Sequence, residues 1–251
     1  VSVFSISKGE VLMVLRGWLV GRVAGDGPKL VFTPNSEMIV AAAEDKEFTE
    51  VLNQGDLNMA DGAGLVLAGR LGRLIRPERN YQTISAWAPG VEVAEELVAE
   101  VVKLGGKVFL LGGGEGVAKT AVEKLQGKYP DLKAKAEMGQ SQVGSKGWKD
   151  QEMVMVINEY GPDLLLVGFG QGKQERWLVA NKNQLKVKVA MGVGGSFDFW
   201  SGRVRRAPVW INRLALEWLW RLFQEPWRWR RQLKLFKFWG LVIGELIKGK
   251  R

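Results

Sequence analysis

The 251-residue sequence contains no cysteine and no histidine. These absences exclude disulfides, thiolate nucleophiles, Cys/His zinc sites and every Ser-His or Cys-His catalytic arrangement. No Asp-x-Asp motif occurs either, so the usual carboxylate pair that holds a divalent metal on a diphosphate is missing. Long apolar runs are also lacking. The longest charge-free run of the C-terminal tail, residues 238–244, is far below the roughly 20 residues that cross a bilayer, and Lys8, Glu10 and Arg16 break the N-terminus before a secretory signal can form. Any chemistry falls to carboxylates, amides, hydroxyls, lysines and arginines.

Hydrophobic residues make up 46% of the chain, enough to fill a large α/β core. The net charge of +9 is unevenly placed. Residues 201–251 hold 13 Lys and Arg against 3 Asp and Glu, which leaves 23 bases and 24 acids in residues 1–200. The same C-terminal fifth carries 6 of the 11 tryptophans. A neutral body with a basic, Trp-rich tail points to an anionic partner, either a membrane surface or a nucleic acid. The expected arrangement is an α/β core over residues 1–208 and a helical, amphipathic appendage over 209–251.

Apolar periodicity predicts an opening helix over 9–22 and a strand over Leu30, Val31 and Phe32 that turns at Thr33-Pro34-Asn35 into a helix containing Met38, Ile39, Ala42 and Ala43. A second short strand at 56–60 turns at Asp61-Gly62-Ala63-Gly64 into a small-residue helix. Residues 76–90 have no defensible period and read as a loop. Helices at 91–104, 115–128, 146–160 and 172–184 then alternate with strands at 107–111, 132–136, 163–167 and 187–191. Such alternation predicts a Rossmann-like, mostly parallel sheet with helices on both faces. After Pro208 one helical pattern runs to Pro226 and a second from Trp227 to about Ile247. On the second, Trp229, Leu233, Phe236, Trp239, Ile243, Leu246 and Ile247 share a face opposite Arg230, Arg231, Lys234, Lys237 and Lys248, the pattern of a helix lying in a membrane interface.

In an open parallel sheet, ligands bind beyond the carboxyl ends of the strands, so the corners at Thr33, Asn35 and Asp61 are expected to face one crevice. Read alone, Asp61 in such a turn commonly serves as a turn or cap residue, and Thr33 and Asn35 are equally readable as caps. Gly112, Gly113 and Gly114 follow a strand and open a helix, where backbone N–H groups can take a phosphate. The spacing of a dinucleotide fingerprint is not present. Gln171 stands at another strand end, where an amide can bind sugar hydroxyls.

Several strings in order carry a family resemblance: TPNSEM, MADGAG, LLGGGEG at 110–116, PDLLLVGFGQGKQERW at 162–177 and GVGGSFDFWSGRVRRAP at 192–208. Together they resemble the WecG/TagA/CpsF glycosyltransferases over about residues 28–231. The resemblance implies that Asp61 is the general base and that Thr33, Asn35 and Gln171 lie in the substrate pocket. It places Gly112, Gly113 and Gly114 at the nucleotide and matches Arg79 to a family arginine after the second corner. The loop after Arg79 is longer than the family's usual connection and ends in Val91-Glu92 where an aspartate is expected.

For Arg221, Arg228 and Arg231 the resemblance implies an appendage that folds over the pocket and brings cations to a diphosphate. Their spacings would align them on one helix face, were Pro226 not between them. The implied reaction is inverting transfer of N-acetylmannosamine from its UDP conjugate to N-acetylglucosamine on undecaprenyl diphosphate, without metal or other cofactor, toward wall teichoic acid or a related polymer. A UDP-linked uronic acid donor is the nearest alternative. The chain is expected to be cytoplasmic, peripheral to the inner face of the cell membrane, and to allow a homo-oligomer. Binding of nucleic acid by the Trp/Arg tail, and a Rossmann-type oxidoreductase or methyltransferase, are the readings from other classes. The first is disfavoured by the neutral body.

Overall fold

The structure is a computed structural model. It describes residues 1–21, 27–77, 87–139, 148–208, 211 and 216–248, the side chains of Arg228 and Lys248 excepted. Among these residues the chain forms α1 (Lys8–Val20), β1 (Lys29–Phe32), α2 (Ser36–Glu44), α3 (Lys46–Asn53), β2 (Leu57–Asn58), α4 (Ala63–Ile75), α5 (Gly90–Lys103), β3 (Lys107–Gly112), α6 (Val117–Lys128), β4 (Lys133–Glu137), α7 (Gln151–Tyr160), β5 (Leu164–Gly168), α8 (Lys173–Asn181), β6 (Val189–Gly192), α9 (Ser196–Trp200), α10 (Glu217–Gln224) and α11 (Trp229–Lys248).

The six strands form one sheet in the order β2-β1-β6-β5-β3-β4, and every neighbouring pair is parallel. The strand sequences explain this. Leu30-Val31-Phe32, Val108 to Leu111 and Leu164 to Val167 are continuous apolar runs rather than alternating ones, as strands covered on both faces must be. Successive residues part to opposite sides. Val31, Leu110, Leu166 and Met191 enter the core shared with α1, α5 and α6, whereas Phe32, Phe109, Leu165 and Ala190 enter the core under α2, α3, α7 and α8. The α/β expectation is met, and parallel pairing brings all six carboxyl ends to one edge.

Local starts follow the capping residues. Ser7 and Glu10 form a capping box on α1. Asp45 ends α2 and accepts the Phe48 N–H at 2.9 Å, so a further helix, α3, begins where the sequence reading did not separate one. Asp150 caps α7 in the same way, which starts it at Gln151 instead of near residue 146. β3 and β5 diverge after their ends, β3 leading outward to β4 and β5 inward to β6, and the crevice opens between them.

The C-terminal helices depart from the expected wheel. Phe238, absent from the predicted apolar face, is 3% exposed, and Leu246 is 8% exposed. With Val242 they stand four residues apart and pack α11 against α2 and α4, joining Val40, Ala60 and Leu65. Arg76 adds two donors to the Leu246 carbonyl, at 3.1 and 2.8 Å. The apolar arc of α11 is broader than one contact needs. One half docks on the body, while Trp229, Leu233, Phe236, Ile243 and Ile247 stay exposed. Pro226 ends the run from α10, and a turn at Pro226–Arg228 precedes α11, so Arg221 and Arg231 come from different helices. No described helix is long and apolar enough to cross a membrane.

Phe238→Ala is expected to destabilise docking of α11 by about 3 kcal/mol, because it empties a buried aromatic site. Hydrogen exchange of α11 amides against those of β3 reads this directly. Unchanged protection in α11 would show that the helix is not held through Phe238.

Candidate active site

The carboxyl edge of the sheet floors a cavity of about 980 Å³. Its lining includes Thr33 and Asn35 after β1, Asp61 after β2, Gly113 and Gly114 after β3, Gly168 to Gln171 after β5, and Gly194 to Ser196 after β6. Arg221 and Arg231 reach in from the C-terminal helices. Of the residues singled out in the sequence, this one space gathers Thr33, Asn35, Asp61, Gly113, Gly114, Gln171, Arg221 and Arg231. Gly112 is not in the lining. It pairs in register with Gly168, and a Cβ there would meet the Gly168 carbonyl carbon at 2.9 Å, so its φ of 106° serves strand packing. Arg79 lies outside the described residues, as does the Arg228 side chain; the Arg228 backbone closes the turn before α11.

Asn35 is both cap and wall. Its Oδ1 accepts the Met38 N–H at 3.0 Å, which starts α2, while the residue borders the cavity. Thr33 is not a cap; its methyl packs on the backbone of Gly90 at the start of α5. Asp61 is fixed by its own N–H on the Pro34 carbonyl at 2.9 Å, with Gly62 beyond it at φ 97°. Asp61 is half-buried as a residue and borders the cavity. Burial first, and then the Glu217 carboxylate, push its pKa up to about 7, against the Gly90 N–H and Arg206.

The cations are held, not loose. Arg221 Nε bonds Glu225 at 2.6 Å, its guanidinium stacks on Phe199 at 4.9 Å, and Nη2 stands 3.7 Å from Asp198. It lies close over Gly195, where a Cβ would sit 2.5 Å from Nη2. Arg231 and Gln171 meet on one acceptor: Glu37 Oε2 takes Arg231 Nε at 2.9 Å and Gln171 Nε2 at 3.1 Å. The first residues of α2 thereby tether α11 to the loop after β5.

Behind the wall, Gln174 and Glu175 are fully buried. Gln174 accepts the Gly194 N–H at 2.9 Å and donates to Glu175 at 2.8 Å, and Glu175 also takes the Gly172 N–H at 2.6 Å. Burial raises the Glu175 pKa to about 7 against these bonds. The pair pins the loops after β5 and β6 to each other, a rigid support for the pocket rim.

Sequence reasoning missed Glu37, Glu217, Arg206 and the Gln174–Glu175 support. Glu37 reads locally as a first-turn acid, and Glu217 as one charge in an amphipathic helix. Only the fold brings them to the cavity. Arg206 stands within the GRVRRAP string, and its bond to Glu92 at 3.1 Å shows what Val91-Glu92 does here.

Comparison with known proteins supplies the rest. The model of the "Glycosyl transferase WecG/TagA/CpsF family" matches residues 1–251. The chain belongs to this family. It is a glycosyltransferase, and the cavity is the candidate place of its chemistry. Among relatives, it is similar to the N-acetylglucosaminyldiphosphoundecaprenol N-acetyl-beta-D-mannosaminyltransferase of Bacillus subtilis (strain 168), 32% identical over 219 residues, which are 86% of this chain and 79% of the relative. Proteins of the same name from Staphylococcus aureus strains MRSA252 and MW2 are 31% identical over 221 residues, 88% of this chain and 80% of each relative.

Because the folded-state pKa of Asp61 is raised, the native state binds more protons than the unfolded chain between about pH 4 and 7, and this group lowers stability as pH rises through that window. Asp61→Asn removes the ionisation. The melting temperature of the variant is expected to exceed that of the parent by a few degrees at pH 8 and to converge on it toward pH 4. A gain confined to pH 4 would contradict the burial argument.

Proposed function

We propose that this glycosyltransferase moves N-acetylmannosamine from UDP to an N-acetylglucosamine carried on undecaprenyl diphosphate, with inversion and without a metal. The observation that carries the reading is Asp61, a carboxylate at the carboxyl edge of the sheet whose pKa is pushed up to about 7, facing a cavity that arginines border. The relatives' printed name supports donor sugar, acceptor and a beta product. An α-linked nucleotide sugar gives a beta product by a single displacement.

Asp61 takes the proton of the acceptor hydroxyl as its oxygen bonds the anomeric carbon. The bond from that carbon to the UDP oxygen breaks, and UDP leaves with the electron pair. Thr33, Asn35 and Gln171 bind the donor sugar, and the backbone at Gly113 and Gly114 meets the nucleotide. Arg221 and Arg231, with Arg228 and Arg79, answer the charge that grows on the leaving diphosphate. Guanidinium groups suit this because they bind phosphate oxygens bidentately and stay charged. Support for metal independence lies in the sequence, which has no Asp-x-Asp motif and no histidine.

Residues 209–251 act as an appendage to the 1–208 core in this reading. The exposed half of the α11 arc, with Trp218, Phe223 and Trp227, forms an apolar band beside Arg230 and Lys234. We assign it to the anionic face of the membrane on the cytoplasmic side, where a polyprenyl acceptor is held. The product would be the linkage disaccharide of wall teichoic acid or a related surface polymer.

The test is UDP release from UDP-N-acetylmannosamine in EDTA with a lipid-diphosphate N-acetylglucosamine acceptor. The intact chain should turn over, and Asp61→Asn should lose about a thousandfold. An absolute need for Mg²⁺, or a variant within a few-fold of the parent, would count against the scheme. The rate should also rise with pH and level off above about 7, since only ionised Asp61 accepts a proton. Removing the neighbouring charge with Glu217→Gln should move that limb to lower pH; a shift to higher pH would overturn the assignment of the limb to Asp61.

A further inference from the structure

Beside the cavity described above lies a second one of about 850 Å³, bounded by α4, α10 and α11. The two share Asn35, Asp61, Pro89, Glu217 and Arg221, so Asp61 stands on the boundary between them. The chemistry of the second cavity is different. Its walls are mainly apolar, with Leu67, Leu222, Leu235 and Trp239 among them.

Polar residues interrupt that wall, Glu37, Asp61, Glu92, Glu217, Arg206 and Gln232 among them. Arg206 Nε and Gln232 Oε1 are each buried with no hydrogen-bond partner, although both residues line the cavity. The remaining contact of Arg206 is to Glu92, through Nη2 at 3.1 Å. Arg206 thus brings a guanidinium and Gln232 a carboxamide beside the apolar surface. An occupant that satisfies all three must offer an anion, a hydrogen-bond donor and a hydrocarbon chain, in reach of Asp61.

We propose that this second cavity seats the acceptor, resting on the transfer reading above. The diphosphate lies beside Arg206, the acceptor sugar donates to Gln232 and presents its hydroxyl to Asp61, and the first isoprenoid units lie on Leu67, Leu222 and Leu235. A space of this size encloses a ligand no larger than a drug molecule, so the rest of the tail leaves past Phe236, which is 77% exposed. The donor fills the polar cavity and the acceptor the apolar one, and the base sits where they meet.

A GlcNAc-diphospho-prenyl probe with a benzophenone in its third isoprenoid unit, photolysed with the full chain in detergent, tests the placement without turnover. Labelling is expected on α4, α10 and α11 at Leu67, Leu222 and Leu235, and to be competed by unlabelled prenyl acceptor but not by phosphatidylglycerol. No label, label confined to the outer face of α11 at Leu233 and Ile243, or equal competition by phosphatidylglycerol would overturn it; the last would give the cavity to a bilayer lipid. Loss of label as the chain self-associates would give it to a second copy and overturn it as well. Steady-state kinetics supply the second readout. Arg206→Gln and Gln232→Leu should each raise the acceptor KM about tenfold and leave the donor KM unchanged. An equal rise in both constants would sink the assignment. Correct labelling without turnover under any condition would remove the transfer reading and leave the binding site.

Discussion

Parallel pairing of six strands is the constraint on which everything else rests. A parallel sheet has two covered faces, so its strands must be apolar throughout, and its polar business is confined to one edge. Here that edge receives a hydroxyl and an amide after β1, a carboxylate after β2, and glycine turns after β3, β5 and β6. None of these side chains could pack inside the sheet. Each sits at the first position where the chain leaves it, and six strands crossing in the same sense place those exits within one cavity.

The C-terminal helices complete that cavity from the other side. Their attachment is apolar at one end, where Phe238, Val242 and Leu246 lie on α2 and α4, and ionic at the other, where Arg231 meets Glu37. The α2 helix takes part in both. It starts with Asn35 in the cavity, carries Glu37 in its first turn, and presents Val40 to Phe238 further on. One nine-residue helix therefore relates the strand-end groups to the arginines.

Much of this was legible in the sequence. Continuous apolar runs of three or four residues alternating with helical periods fix the α/β class, and the corners at Thr33 and Asp61 follow from where the first two strands stop. The glycines of the 112–116 turn were legible as a strand-to-helix corner, but not which of them lines the cavity, since that depends on the register of β3 against β5. Glu37 and Glu217 carried no signal, because an acid in the first turn of a helix has a local reason to be there. The α11 wheel failed for a related reason. Periodicity reveals that an arc is apolar, but an arc wide enough for two contacts does not say which half meets protein, and Phe238 was set aside although it is the most buried residue of the helix.

Glu37 has a consequence for how the site fills. Its single oxygen holds both Arg231 and Gln171, so the empty cavity keeps its cation neutralised rather than waiting as an open charge. Under the proposed function, an incoming diphosphate would compete for the same guanidinium and exchange one anion for another. Affinity for the nucleotide is then a difference between two ion pairs, small compared with either. In the proposed reaction, release of UDP after transfer would be eased by the same exchange, with Glu37 as the returning counter-ion.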